Sequence, residues 1–314
     1  MTVSFRRIAY RMGLVLGLAF FAWQAWAGYR SLAQARLLPA LANREELGLA
    51  ALLMVARYGL QIGAWALLMR GLGVRLPIKD AMRGYALSFV PRYIPGGLWG
   101  YMSRGEWLHQ DHGVPYGTSH LGSLLELAAT VLAALMVVGI DALPSSLGSA
   151  RVALAGVLML LPVLLWLALR SFWGAPMVRR ALGEGGLGEP LGGLGVLPWV
   201  TVVTLHLVSW LSFGVLIPLL VSTLGLQYQA PIGRSAALYA VAWLIGFLAV
   251  FVPAGIGVRE FVLASALATS FAIPLGQANA ISIVSRCVIV GAEIAWVVLA
   301  VLRRPTAGRK PAPG

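Results

Sequence analysis

Long apolar runs alternate with short basic or glycine-rich interruptions along almost the whole chain. Six runs approach the roughly 20 residues a bilayer crossing needs: about residues 8–27, 47–69, 116–140, 152–169, 196–224 and 276–302. Two further apolar stretches are broken internally. The first holds Pro91, Arg92, Pro95, Gly96, Gly97, Gly100, Arg104 and Glu106; the second holds Pro253, Gly255, Gly257, Arg259 and Glu260. No continuous helix accepts prolines and paired glycines so closely spaced. The chain must break at a depth where free backbone groups are costly. The pattern therefore predicts two broken hairpins, at about residues 80–107 and 234–271. Pro253 follows Pro95 by 158 positions, Gly255 follows Gly97 by the same step, and Pro274 follows Pro115 by 159. The expected fold is an all-α polytopic membrane protein with six full transmembrane helices and two re-entrant hairpins.

Crossing parity sets the relation between the hairpins. Three predicted spans separate them, so they enter from opposite faces and form an inverted repeat, the arrangement associated with alternating access. Repeat one covers about residues 80–140 and repeat two about 234–302, within a single membrane domain of residues 1–314. The first arm of the second hairpin, about residues 235–252, is itself long enough to cross, which leaves a fully spanning pair open. With both termini inside, fourteen basic residues fall on the inner face and five on the outer. That bias predicts cytoplasmic termini in an inner membrane.

Composition narrows the function. The 314 residues are 59% hydrophobic and 11% charged, with mean hydropathy +0.83; soluble domains carry about 25% charged residues. A soluble enzyme is excluded. The net charge of +13 sits at the ends of apolar runs, which fits topology signals and anionic lipid rather than nucleic acid. Cys287 is the sole cysteine, so no intrachain disulfide forms. Ala25, Trp26 and Ala27 resemble a signal-peptidase site, but Gly13 and Gly17 suit helix packing and favour a retained span. Gly183, Gly185 and Gly188 match a dinucleotide fingerprint only in spacing; they fall in the loop at about 170–195, without a preceding strand, and read as linker. A basic tail occupies residues 303–314.

Charges inside apolar segments cost about 2.5–3.5 kcal/mol each at mid-helix, yet the chain keeps Arg57, Arg92, Arg104, Glu106, Glu126, Arg259, Glu260, Arg286 and Glu293. Ser119, Ser123, Glu126 and Thr130 recur at helical steps and form one polar stripe; Asn279, Ser282, Arg286 and Glu293 form another. The two stripes are expected to face each other or a shared cavity. One reading is a wet groove where an anionic head group passes arginines, whose planar forks suit phosphate. Backbone N–H groups freed at Gly96, Gly97, Gly255 and Gly257 add donors. The other reading is a set of buried ion pairs holding the bundle. Beside the glycine breaks, at Arg104–Glu106 and Arg259–Glu260, the balance tips toward ligand binding. His109, Asp111, His112 and Glu106 lack the doubled Glu-x-x-His of a dinuclear site and read as interfacial; no metal or cofactor is expected. His120 and His206 read as packing residues. Trp23, Trp26, Trp99, Trp107, Trp173 and Trp199 are expected in interfacial belts.

The Pro-Gly-Gly break followed by Arg104, Gly105 and Glu106, and the later run from Val252 to Glu260, resemble the lysylphosphatidylglycerol synthase transmembrane-region family over about residues 49–302. Ala254 stands where that family usually has glycine. The resemblance implies a lipid-flipping membrane domain. Twelve residues follow the last predicted span, so it gives no support for lipid aminoacylation by this chain. It implies as partners the membrane and an anionic phospholipid or polyprenyl-phosphate-linked lipid, and is compatible with a homodimer. The expected activity is translocation between leaflets without enzymatic chemistry. The alternatives are an integral-membrane transferase acting on a lipid carrier, and a proton- or ion-coupled carrier using Glu126 and Glu293.

Overall fold

A computed structural model of the chain describes residues 44–94, 98–174, 193–250 and 252–302, with isolated positions at Trp26, Tyr29, Arg30 and Ala33. The first predicted span apart from Trp26, the pair Gly96–Gly97, most of the 170–195 loop and the basic tail lie outside the described residues.

The described chain is helical throughout. Helix α1 (Arg44–Gly71) is followed by α2 (Ile78–Leu87), a 3-10 turn (Val90–Tyr93), α3 (Trp99–His112) and α4 (Tyr116–Ala142). Then come α5 (Ser149–Leu158), α6 (Leu161–Gly174) and α7 (Val196–Thr223). The chain closes with α8 (Ile232–Leu248), a second 3-10 turn (Pro253–Gly255), α9 (Val258–Phe271) and α10 (Leu275–Leu302). Five segments are long and apolar enough to cross a membrane: Glu45–Gly71, Tyr116–Ala142, Ser149–Phe172, Val196–Thr223 and Leu275–Leu302. They coincide with the five predicted spans beyond the first. The middle one, α5–α6, has a joint at Met159–Leu160 because Pro162 supplies no N–H to the preceding turn. Only 6% of its apolar window is buried, against 39–56% for the other four. It lies at the periphery with little protein cover, and the remaining long helices form the core.

That core is built on α1 and α7, which run antiparallel. Ser222 near the end of α7 donates to Glu46 Oε1 at the start of α1 (2.6 Å). At the opposite end, Leu194 just before α7 packs against Gly71. Helix α4 packs on α7, α8 and α3, while α10 packs on α9, α1 and α2.

The hairpins fill the space between. At 1.5 Å per residue, α2 spans about 15 Å, α3 and α9 about 21 Å each, and α8 about 26 Å. All fall short of a hydrocarbon core of roughly 30 Å. The long first arm expected for the second hairpin is shorter than the sequence suggests. Helix α8 stops at Ala249, whose ψ of 63° leaves the helical region. The hairpins open toward opposite ends of α4. The first hangs from the end of α1 and the start of α4, where Met69 packs against Gly122. The second is tied to the other end of α4 by Arg234, which donates to Asp141 (2.7 Å) and to Ser270 near the end of α9 (3.2 Å). Their tips, the two 3-10 turns, pack against each other. The order long helix, short arm, break, short arm, long helix occurs twice, as α1–α4 and as α7–α10. The recurring order thus includes the long helix preceding each hairpin, which the sequence boundaries at 80 and 234 leave out.

Candidate functional site

Where the two tips meet, α1, α4, α7, α8 and α10 surround a cavity of about 110 Å³. Its wall carries four arginines, Arg57, Arg92, Arg259 and Arg286, and two carboxylates, Glu126 and Glu293. The two polar stripes supply opposite parts of this wall: Glu126 and Thr130 from α4, Arg286 and Glu293 from α10. Ser119 and Ser123 of the first stripe are buried beyond it, Ser123 donating to the Tyr101 carbonyl (3.1 Å).

Each carboxylate is held by tyrosine hydroxyls and an arginine. Glu293 accepts from Tyr58 at Oε1 (2.6 Å) and from Tyr93 at Oε2 (2.7 Å), with Arg92 Nη1 3.9 Å away. Glu126 accepts from Tyr85 (2.8 Å) and is ion-paired with Arg104. Arg104 is fully buried behind the wall, its guanidinium over the rings of Tyr85 (4.5 Å), Tyr101 (5.1 Å) and Trp65 (5.3 Å). Cation–π contacts of this kind offset part of the cost of burying the charge. Glu260, likewise behind the wall, accepts the Gly257 backbone N–H and lies 3.7 Å from Arg286. It thereby caps the start of α9, where a carboxylate also opposes the helix dipole.

Arg57 and Arg259 differ from the others. Among the described residues neither pairs with a carboxylate. Arg57 lies between the rings of Phe213 (4.4 Å) and Tyr58 (4.9 Å), with its Nε donating to the Ser209 carbonyl (3.3 Å). The Nε of Arg259 is buried without a hydrogen-bond partner.

The second tip approaches α8 through bare backbone. A Cβ on Gly255, at φ +66°, would sit 2.5 Å from the Gly246 carbonyl oxygen. Gly255 is therefore required twice, for its left-handed conformation and for its missing side chain. Both glycines line the cavity.

The sequence candidates thus separate. Arg57, Arg92, Glu126, Gly255, Arg259, Arg286 and Glu293 line one cavity. Arg104 and Glu260 support it from behind. Gly257, at φ +85°, opens α9 away from the wall. Glu106 is not brought in: it faces Gln110 and Tyr116, whose hydroxyl lies 3.2 Å from Oε2, at the α3–α4 corner. Three residues beyond Glu106, His109 stacks on Tyr116 (3.8 Å) and contacts the Val114 carbonyl (3.0 Å), near the end of α3 rather than facing the cavity. His206 Nδ1 contacts the Val202 carbonyl (2.9 Å) inside α7. Trp199 corrects the belt assignment. It is fully buried, donating to the Pro162 carbonyl (2.8 Å), because α7 begins beneath α6.

Sequence reasoning missed the aromatic lining, namely Tyr58, Tyr85, Tyr93, Tyr101, Trp210, Phe213, Trp243 and Phe247. A signal was present. Tyr58 and Tyr93 directly follow Arg57 and Arg92, and a tyrosine away from the interface must find a partner for its hydroxyl.

A family model described as lysylphosphatidylglycerol synthase TM region matches residues 12–296. No curated protein and no solved structure matches the chain.

Proposed function

This chain belongs to the lysylphosphatidylglycerol synthase transmembrane-region family, and from that membership and the cavity we propose that it passes the head group of an anionic lipid between leaflets. The observation that carries the proposal is a cavity walled by four arginines and two carboxylates, set where two oppositely opening hairpins touch. Arginine forks bind phosphate through paired hydrogen bonds and stay charged in a poorly hydrated site. The interrupted helices let polar backbone reach the cavity, which is tolerated in a membrane only where that backbone is buried in protein or lines water. Acyl chains would remain in lipid while the head group moves past Arg57, Arg92, Arg259 and Arg286. The two element runs α1–α4 and α7–α10 would act as inverted halves, rocking about the tip contact to expose the cavity to each side in turn.

Orientation follows from charge. The end of the molecule formed by the α1–α2 connection, the α3–α4 corner and the end of α6 carries Arg70, Arg75, Lys79, Arg83 and Arg170. The opposite end carries Arg44, Arg151 and Arg234, while acidic residues occur at both ends, as Asp80, Glu106 and Asp111 at the first and Glu45, Glu46 and Asp141 at the second. By the positive-inside bias the first end faces the cytoplasm, with the inner membrane as the expected location.

Reconstitution tests the reading. In liposomes holding fluorescent phosphatidylglycerol, the inner-leaflet reporter should lose its protection from an added quencher faster with wild-type protein, and Arg286→Ala should slow that exchange at least tenfold. Unchanged exchange in the variant, or none in wild type, would refute lipid movement through this cavity. Consumption of a sugar or acyl donor without exchange would instead identify a transferase, and proton flux without exchange a carrier.

A further inference from the structure

The charge arrangement of the cavity goes beyond a general attraction for anions. Every carboxylate oxygen on its wall is already engaged by the protein. Glu293 receives Tyr58 and Tyr93 on its two oxygens; Glu126 receives Tyr85 on one and meets Arg104 with the other. A ligand ammonium would have to share oxygens that already hold a tyrosine hydroxyl or an arginine.

The rings are occupied as well. Arg57 lies over Tyr58 and Phe213, Arg92 over Phe89 (4.7 Å) and Tyr85 (5.8 Å), and Arg104 over Tyr85 from behind. Trp243 is stacked on Phe247 (5.2 Å, 7° between planes) and meets Trp210 edge-on (5.3 Å). The aromatic faces that would hold a cation are thus largely spent on arginines or on one another. What the wall leaves without a carboxylate partner among the described residues is positive: Arg57, held by two rings and the Ser209 carbonyl, and Arg259, with a buried and unpartnered Nε.

We infer that the cavity selects against head groups bearing a fixed ammonium and takes a phosphodiester whose remaining part is uncharged, with Arg259 as the specificity-determining residue. On this inference, which rests on the lipid-translocation reading, the lysyl ester named in the family's title is a poor ligand for this chain and unmodified phosphatidylglycerol a good one. Bringing an aminoacyl cation in would place it among four guanidinium groups and only two carboxylates, both already bound by protein donors, a net like-charge arrangement that raises the free energy of the bound state.

Equilibrium binding decides this separately from transport. Full-length protein in detergent is titrated calorimetrically with dihexanoyl phosphatidylglycerol, its lysyl ester and dihexanoyl phosphatidylcholine. The unmodified lipid should bind at least tenfold tighter than the lysyl ester. Arg259→Gln should lower its affinity at least fivefold and leave the lysyl ester within twofold, whereas Arg259→Lys, keeping the charge, should retain the preference. Equal or tighter binding of the lysyl ester, an unaltered preference in Arg259→Gln, or no saturable binding of any of the three would overturn the inference. A clear preference without leaflet exchange would sink only the transport reading; exchange of both lipids with equal affinity would sink only the selectivity.

Discussion

The two hairpins interrupt the membrane in the same place by different means. The first is held by side chains. Arg92 and Tyr93 at its tip reach Glu293 on α10, and Arg104 on its second arm is packed among three rings against Glu126. The second is anchored at its base by Arg234, but its tip is held by backbone. Its tip lies against α8 through Gly255 on Gly246, and its returning helix starts on a Gly257–Glu260 cap. Side-chain attachment is exchangeable, since a phosphate arriving at Arg92 competes directly with Glu293. Backbone contact offers no such exchange. The contrast therefore assigns an attachment that a ligand can exchange to the first tip, and a fixed position to the second, beside which Arg259 is carried on the cavity wall.

The sharpest way to break the contrast is to remove charge from each arm. Arg104→Leu leaves Glu126 buried and unneutralised, a situation that costs about 3–5 kcal/mol. The fold should lose most of its thermal stability in detergent. Glu260→Gln in the second arm keeps an acceptor for the Gly257 N–H, and its partner Arg286 lies at 3.7 Å and borders the cavity. Its cost should be about 1 kcal/mol, the net worth of a typical hydrogen bond. Equal losses in thermal unfolding would mean that both arms rest on charge and that the contrast is wrong.

Exchanging glycine for alanine probes the other half. Gly255→Ala places a methyl 2.5 Å from the Gly246 carbonyl oxygen at a positive φ. Left-handed strain of about 1–2 kcal/mol adds to overpacking of about 1–3 kcal/mol. In the first hairpin, a Cβ on Gly100 meets Arg92 Cγ at 2.5 Å and the Ser88 carbonyl at 3.0 Å. Arg92 is a flexible chain with room to swing, so Gly100→Ala should cost about 1 kcal/mol, the low end of overpacking. It should also weaken anionic-lipid binding, because Arg92 is the side chain that gives way. Melting temperatures of the two variants rank the tips directly.

Much of this architecture was legible in the sequence because bilayer physics is strict. A run such as residues 196–224 has few alternatives to a crossing helix, and Pro91 or Pro253 inside an apolar stretch has few alternatives to a break. The charged residues were legible for the same reason, since Arg57, Glu126, Arg286 and Glu293 are too costly in oil to be incidental. What could not be read was how they pair. Arg104 joins Glu126 across 22 positions and Tyr58 joins Glu293 across 235, and neither register is encoded locally. Glu106 shows the converse error. Its closeness to Arg104 in sequence suggested a shared site, but two positions along a helix turn a side chain by about 200°, so it faces the α3–α4 corner. The belt assignment of Trp199 failed because helix-end position alone does not reveal that α6 covers it.

The smallest effect tests the second tip at one methyl group. Ala254 adopts φ 50° and ψ 22°, in the left-handed region, beside Gly255 and on the cavity wall. Glycine is the residue that the family resemblance leads one to expect there. An alanine in that conformation costs about 1–2 kcal/mol relative to a right-handed one. Replacing it with glycine relieves that strain and returns about 0.4–1 kcal/mol as extra freedom of the unfolded chain. Ala254→Gly should therefore stabilise the protein by about 0.5–1 kcal/mol, seen as a rise of about 2 °C in the unfolding midpoint, near the lower end of the shift expected for a chain larger than 150 residues. If the midpoint falls instead, the methyl contributes packing that outweighs the strain, and the second tip depends on side-chain contact after all, as the first one does.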